Sequence, residues 1–203
     1  MNTLLIVYDS NGGHTQAMAR HVARGVESVT DCEACVRSVA KVGPTSAERM
    51  PPVPDSGAPF VELQDLEHCD GLILGTPTHF GNMSASLKYF LDCTTPQWFG
   101  GKLSGKPAAV FTSTGSLHGG QESTLLSMMQ PLLHHGMLIT GLPYTLPELS
   151  STRSGGTPYG ASHWSDQDAS RDLDDTEQHL CNALGARVAG IAKALKMAEP
   201  TVS

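Results

Sequence analysis

Three stretches of this chain are rich in glycine, hydroxyl groups and short amides, and each follows a short apolar run. The first is Ser10-Asn11-Gly12-Gly13-His14-Thr15. Hydroxyls stand at both ends and glycines between them, and no lysine or arginine lies within the loop. Backbone N–H groups exposed at a strand-to-helix junction, together with the positive end of the helix dipole, favour a phosphate. The spacing therefore predicts an anion held by neutral donors alone, with glycines admitting the backbone angles that such a nest requires. An ordinary capped turn fits the same six residues equally well.

The second stretch, Thr76-Pro77-Thr78-His79-Phe80-Gly81-Asn82-Met83-Ser84, combines a stiffening proline, hydrogen-bonding Thr78 and Asn82, and the flat face of Phe80. That composition suits a heteroaromatic ring with polar edges, or else a plain loop with one aromatic anchor. The third, Ser113-Thr114-Gly115-Ser116-Leu117-His118-Gly119-Gly120-Gln121-Glu122, is small and polar, so its backbone can approach a ligand closely. His134-His135-Gly136 follows further on. Adjacent helical residues point about 100° apart, so this pair cannot chelate one metal. One of the two can face a cleft, although a helix cap is the commoner role for a terminal histidine.

Other chemistries fail on spacing. No two glycines are separated by one residue, so the dinucleotide-binding fingerprint is absent. Gly100 to Lys106 fits G-x-x-x-x-G-K, but Pro107 stands where Ser or Thr is needed, and the segment precedes a strand. There is neither a G-x-S-x-G elbow nor an H-x-x-x-H pair. Cys32 and Cys35 form a C-x-x-C with no second such pair, and they fall where a strand is expected, so small apolar fillers are the stronger reading.

The elements that must carry these loops are legible from periodicity. Leu4 to Tyr8, Gly71 to Thr76, Ala108 to Ser113 and Met137 to Thr140 are short apolar runs, and Cys35 to Val39 alternates weakly. Met18, Val22 and Val26 mark a first helix, and Ser84 caps one carrying Leu87, Phe90 and Leu91. Another runs through Leu125, Met128 and Leu132 with a bend expected at Pro131, and a C-terminal helix carries Leu180, Leu184, Val188, Ile191 and Leu195. Strand–helix alternation with continuously apolar strands predicts an α/β fold with a parallel sheet and helices on both faces. The chain reads as a single domain over residues 1–203, with inserts at about 40–60, where prolines are dense, and 142–176. In such sheets ligands bind beyond the carboxyl ends of the strands, where these three loops lie.

Bulk properties set outer bounds. The 203 residues are 39% hydrophobic and 16% charged, with a formal charge of −7, which argues against nucleic acid or an anionic membrane surface as a partner. No run approaches the roughly 20 apolar residues of a membrane helix. Met1 to Tyr8 lacks the features of a secretory leader, and the five cysteines are odd in number, so reduced thiols in the cytoplasm are expected.

Gly75-Thr76-Pro77-Thr78-His79-Phe80-Gly81-Asn82-Met83 resembles the G-T-P-T-R-F-G-N-M of the WrbA-type NAD(P)H:quinone oxidoreductases. Ser113-Thr114-Gly115, Gly119 to Glu122, His134-His135-Gly136 and Gly155 to Ala161 resemble the same family in the same order, over about residues 3–196. The resemblance implies a flavodoxin-like, doubly wound five-stranded parallel sheet in the order 2-1-3-4-5. It implies FMN, with its phosphate in the loop Ser10, Asn11, Gly12, Gly13, His14 and Thr15. The ring would lie on Pro77, Thr78, His79 and Phe80, its polar edge along Ser113, Thr114, Gly115, Ser116 and Gly119. His134 matches a histidine at the flavin face. Trp98, with Phe80 and Gly12, belongs to the substrate slot, Trp98 reaching it from a neighbouring subunit of a homotetramer.

Asn11 and Gly12 stand where the family often has Met and Tyr, His79 replaces an arginine, and Leu117-His118 lengthens the third loop. The implied reaction is ping-pong reduction of a quinone by NADH or NADPH, with no metal. A flavodoxin-like electron carrier and an FMN-binding regulatory protein are the alternatives.

Overall fold

The computed structural model describes residues 1–43, 54 and 56–198. Most of the proline-rich insert, and with it Pro44, Pro51 and Pro52, lies outside the described residues.

The strands are β1 (Asn2–Tyr8), β2 (Cys32–Ser38), β3 (Gly71–Pro77), β4 (Pro107–Thr114), β5 (Leu138–Ile139) and β6 (Ala161–Trp164). Around them run α1 (His14–Glu27), α2 (Leu63–His68), α3 (Ala85–Asp92), α4 (Thr95–Phe99), α5 (Gln121–His134), α6 (Glu148–Ser151) and α7 (Asp175–Ala198). Among the described residues all strand pairs are parallel, in the order β2-β1-β3-β4-β5 with β6 also on β4. This is the flavodoxin-like order.

The strand count differs from the expected five. The fifth position is shared: β5 pairs only with Pro107 and Ala108 at the start of β4, whereas β6 pairs with Phe111 to Thr114 at its end. The reading of Met137 to Thr140 as a full last strand is thus corrected to two residues. The chain leaves the sheet through Gly141, Leu142 and Pro143, and returns at Ala161. Proline cannot donate to a ladder, and the only apolar residues of β5 are the half-exposed Leu138 and Ile139, so little holds the chain in place there. The second insert therefore contains a strand.

Consecutive residues of a strand face opposite sides of the sheet. Leu4 and Ile6 of β1 pack with Met18, Val22 and Val26 of α1 and with Leu180, Leu184 and Val188 of α7. Leu5 and Val7 pack on the other face with Leu72, Leu87, Phe90, Leu125 and Met128. Both faces are covered, hence the uninterrupted apolar runs. Each such side chain contributes roughly 1.5–3 kcal/mol on burial.

Ser84 accepts the Leu87 N–H at 3.2 Å, capping α3 as its type and position suggest, and α5 continues through Pro131 to His134. Cys32 and Cys35 both lie in β2 as free thiols, and three residues apart on a strand they point to opposite faces.

Candidate functional site

The loop after β1 reverses into α1 through Gly13, whose left-handed backbone (φ 89°) sits at the N-cap without a side-chain cap of its own. Ser10 Oγ fills that role, accepting the Gly13 N–H at 3.1 Å and the Gln16 N–H at 3.4 Å. The N–H groups of Asn11, Gly12, His14 and Thr15 have no partner among the described residues. Uncommitted amides at a helix start form an anion cradle.

Sequence spacing concealed one participant here. Lys41, beyond β2, reaches across to the loop, pairing with the buried Asp9 and donating to Asn11 Oδ1 (2.7 Å) and the Ser10 carbonyl (3.0 Å). The expectation of neutral donors alone is therefore corrected. A cation backs the loop, with Asp9 balancing its charge. Lys41, Asp9 and residues 10–13 line one cavity of about 430 Å³.

Pro77 ends β3 opposite Ser113 of β4, and Thr78 N–H donates to the Ser113 carbonyl at 2.9 Å. The second and third loops are thereby joined at their bases. His79 and Asn82 exchange both backbone hydrogen bonds (2.8 and 3.0 Å), with Phe80 (φ 52°) and Gly81 (φ 74°) both left-handed between them. This tight turn drives the Phe80 ring fully into solvent. Gly120, at the start of α5, lies against the same turn, where a Cβ on it would sit 2.8 Å from Gly81 Cα. Thr78, Phe80, Gly115, Ser116 and Gly119 line a second cleft of about 380 Å³, joined by Gln167 from the segment after β6. Gln167 carried no signal in the sequence, because its place depends on β6 entering the sheet.

His134 and Trp98 lie elsewhere. The α5 helix starts at the third loop and runs back along the sheet, so its 14 residues carry His134 roughly 20 Å away, toward the amino end of β4. There Trp98 Nε1 donates to the His134 carbonyl at 2.8 Å, and both line a groove with Thr94, Pro131 and His135. Burial and its neighbour His134 push the His135 imidazole below its ordinary pKa. Within one chain, Phe80 therefore lines one cavity, and Trp98 and His134 line another.

The sequence pattern of the NADPH-dependent FMN reductases matches residues 1–146. This chain belongs to that family. A relative from Solidesulfovibrio magneticus, an NAD(P)H dehydrogenase (quinone), is 40% identical over 95% of this chain and 98% of its own. Among solved structures, the WrbA-like flavodoxin of Agrobacterium tumefaciens is 25% identical with a TM-score of 0.70, covering 96% of this chain and 99% of that one. A flavodoxin from the domain Archaea, 19% identical with a TM-score of 0.62 over 94% of this chain and 99% of its own, shares the fold.

The cofactor of this FMN reductase family fits the residues present. The free amides and Ser10 suit a terminal phosphate, and the Thr78–Gly119 cleft offers a flat apolar side and a polar rim.

Proposed function

We propose that this chain reduces quinones with NADH or NADPH through bound FMN, and that the free amide cradle after β1 is the observation that carries the reading. The 40% identity to an NAD(P)H dehydrogenase (quinone) supports it. Bound FMN supplies the chemistry of passing two electrons from the nicotinamide to the quinone. The protein supplies binding and orientation. Asn11, Gly12, His14 and Thr15 hold the phosphate through their amides, with Ser10, Gly13 and Lys41 shaping the loop around them. Pro77, Thr78, His79 and Phe80 support the ring, and Ser113, Thr114, Gly115, Ser116 and Gly119 border its polar edge. Both substrates are planar and take the same slot in turn, which gives ping-pong kinetics.

His134 supplies the proton or hydrogen bond to a quinone oxygen, and Trp98 closes the slot, both from a neighbouring copy. Their distance from the flavin cleft within one chain supports this arrangement. So does the exposed apolar surface at Trp98, Phe99 and Leu133, of the kind that subunit contacts cover. A homotetramer in the cytoplasm is the assembly proposed. No described helix is long and apolar enough to cross a membrane.

The test is NAD(P)H oxidation with benzoquinone by the FMN-loaded protein. An absence of turnover, with a long-lived one-electron state in reductive titration, would support an electron carrier instead. His134→Ala should lower quinone turnover by roughly a hundredfold while FMN stays bound. Mixing His134→Ala with a cradle-deficient chain should restore part of the activity through hybrid oligomers, and failure to do so would count against sharing of the site.

A further inference from the structure

Behind the loop that follows β4 lies a fully buried pair, His163 on β6 and Glu177 in the first turn of α7. Glu177 Oε1 accepts the N–H groups of Gly155 (2.8 Å) and Trp164 (3.1 Å), and Oε2 accepts that of Asp174 (3.1 Å). Three amide donors aimed at one side chain select the carboxylate. Burial would raise this carboxyl, but the bonds from His163, Trp164 and Asp174 outweigh it and hold it below its ordinary range. His163 Nδ1 faces that carboxylate at 2.8 Å, and Nε2 faces the Arg171 carbonyl at 3.1 Å. Glu177 on one side and the Arg171 carbonyl on the other thus fix the orientation of the ring.

The bond to the Arg171 carbonyl closes the 165–171 loop. Ser165 N–H and Oγ donate to the Thr114 carbonyl at 2.8 and 3.1 Å, and Arg171 N–H donates to the Ser165 carbonyl at 3.0 Å. The Arg171 guanidinium lies 4.7 Å over the Trp164 ring and pairs with Asp174. His14, whose ring lies 5.1 Å from that of His163 at a tilt of 36°, donates from Nε2 to the Ala169 carbonyl at 3.2 Å. The loop thus bridges the anion cradle and the end of β4. It is also strained: Asp166 (φ 66°) and Ala169 (φ 56°) are left-handed without being glycine. Such angles persist only where surrounding contacts over-determine them, and they concentrate at ligand sites. Between them the exposed Gln167 lines the cleft beside Thr78, Phe80 and Gly115, and its side-chain amide has no partner among the described residues.

We propose that His163 and Glu177 are positioning residues that hold the 165–171 loop across the flavin cleft, and that Gln167 on this loop is a further FMN-contacting residue. This rests on the FMN reading above.

FMN titration by absorbance and fluorescence tests it. Gln167→Ala should raise the FMN Kd about three- to tenfold, the loss of one hydrogen bond, and shift the visible flavin band while the apo melting temperature stays unchanged. His163→Gln should raise Kd similarly. Combined with Gln167→Ala it should add nothing further, since it acts by presenting Gln167. Should His163→Gln fail to fold, Arg171→Ala, which loosens the loop from outside the core, takes its place in the same cycle. Additive effects would mean that the pair is only structural and would overturn the positioning role. Wild-type affinity in Gln167→Ala would overturn the contact. A wild-type chain that binds no FMN would overturn the cofactor reading as well as this inference, which separates the two failures.

Discussion

Lys41 and Asp9 illustrate how a residue acts through its partner. The Asp9 side chain is 2% exposed and sits directly behind the anion cradle, so its carboxylate is tolerable there only because Lys41 offsets it. Lys41→Ala should therefore weaken FMN binding by about tenfold or more, since it leaves a buried negative charge facing a phosphate. Adding Asp9→Asn should recover much of that loss. If Lys41→Ala alone bound FMN as wild type in a fluorescence titration, the cradle would be independent of the cation. At Gly120 the constraint is space, since an added Cβ would come within 2.8 Å of Gly81 Cα, and its φ of 98° adds to it. Gly120→Ala should push the two loops apart, lowering both stability and FMN affinity.

At the scale of elements, α1 and α7 cover one face of the sheet and approach with their backbones almost in contact. A Cβ at Gly185 would lie 2.0 Å from the Val22 carbonyl oxygen. No rotamer change relieves a clash with backbone, so the helices must separate. Gly185→Ala should cost about 1–3 kcal/mol, read as a lower urea midpoint at unchanged slope. The α5 helix carries a different lesson. Its length and direction decide that His134 leaves the cleft where the helix begins, and a periodicity argument has no access to that direction.

Across the whole molecule, two half-buried histidines couple stability to pH. Burial, helped by Arg24, lowers the pKa of His21, and burial, helped by His134, lowers that of His135 from the ordinary 6.5. Both take up a proton less readily in the fold than in the unfolded chain, which protonates as pH falls through that ordinary value. Stability is then full above it, and is lost as pH falls through it toward the folded-state values. Melting temperature should be lower at about pH 5 than at about pH 7.5, and His135→Gln should shrink the drop. At still lower pH, Glu177 and Asp174, both held below their ordinary ranges, add a second loss as they protonate. A flat melting profile between these two pH values would contradict the assignment.

Much of this was legible in the chain itself. The apolar runs of β1, β3 and β4 and the stepped face of α7 are local patterns, set by side-chain period and burial, and they determine a parallel sheet flanked by helices. The glycine- and hydroxyl-rich loops after three of the strands are also local, because turn chemistry is written in adjacent residues. Pairing between distant segments is not. The split fifth strand, Lys41 reaching the first loop, Gln167 entering the cleft and the removal of Trp98 and His134 to the far end of α5 all depend on which surfaces meet after folding. Those meetings are chosen by the summed burial of many side chains across the sheet, a quantity that no single stretch of sequence contains.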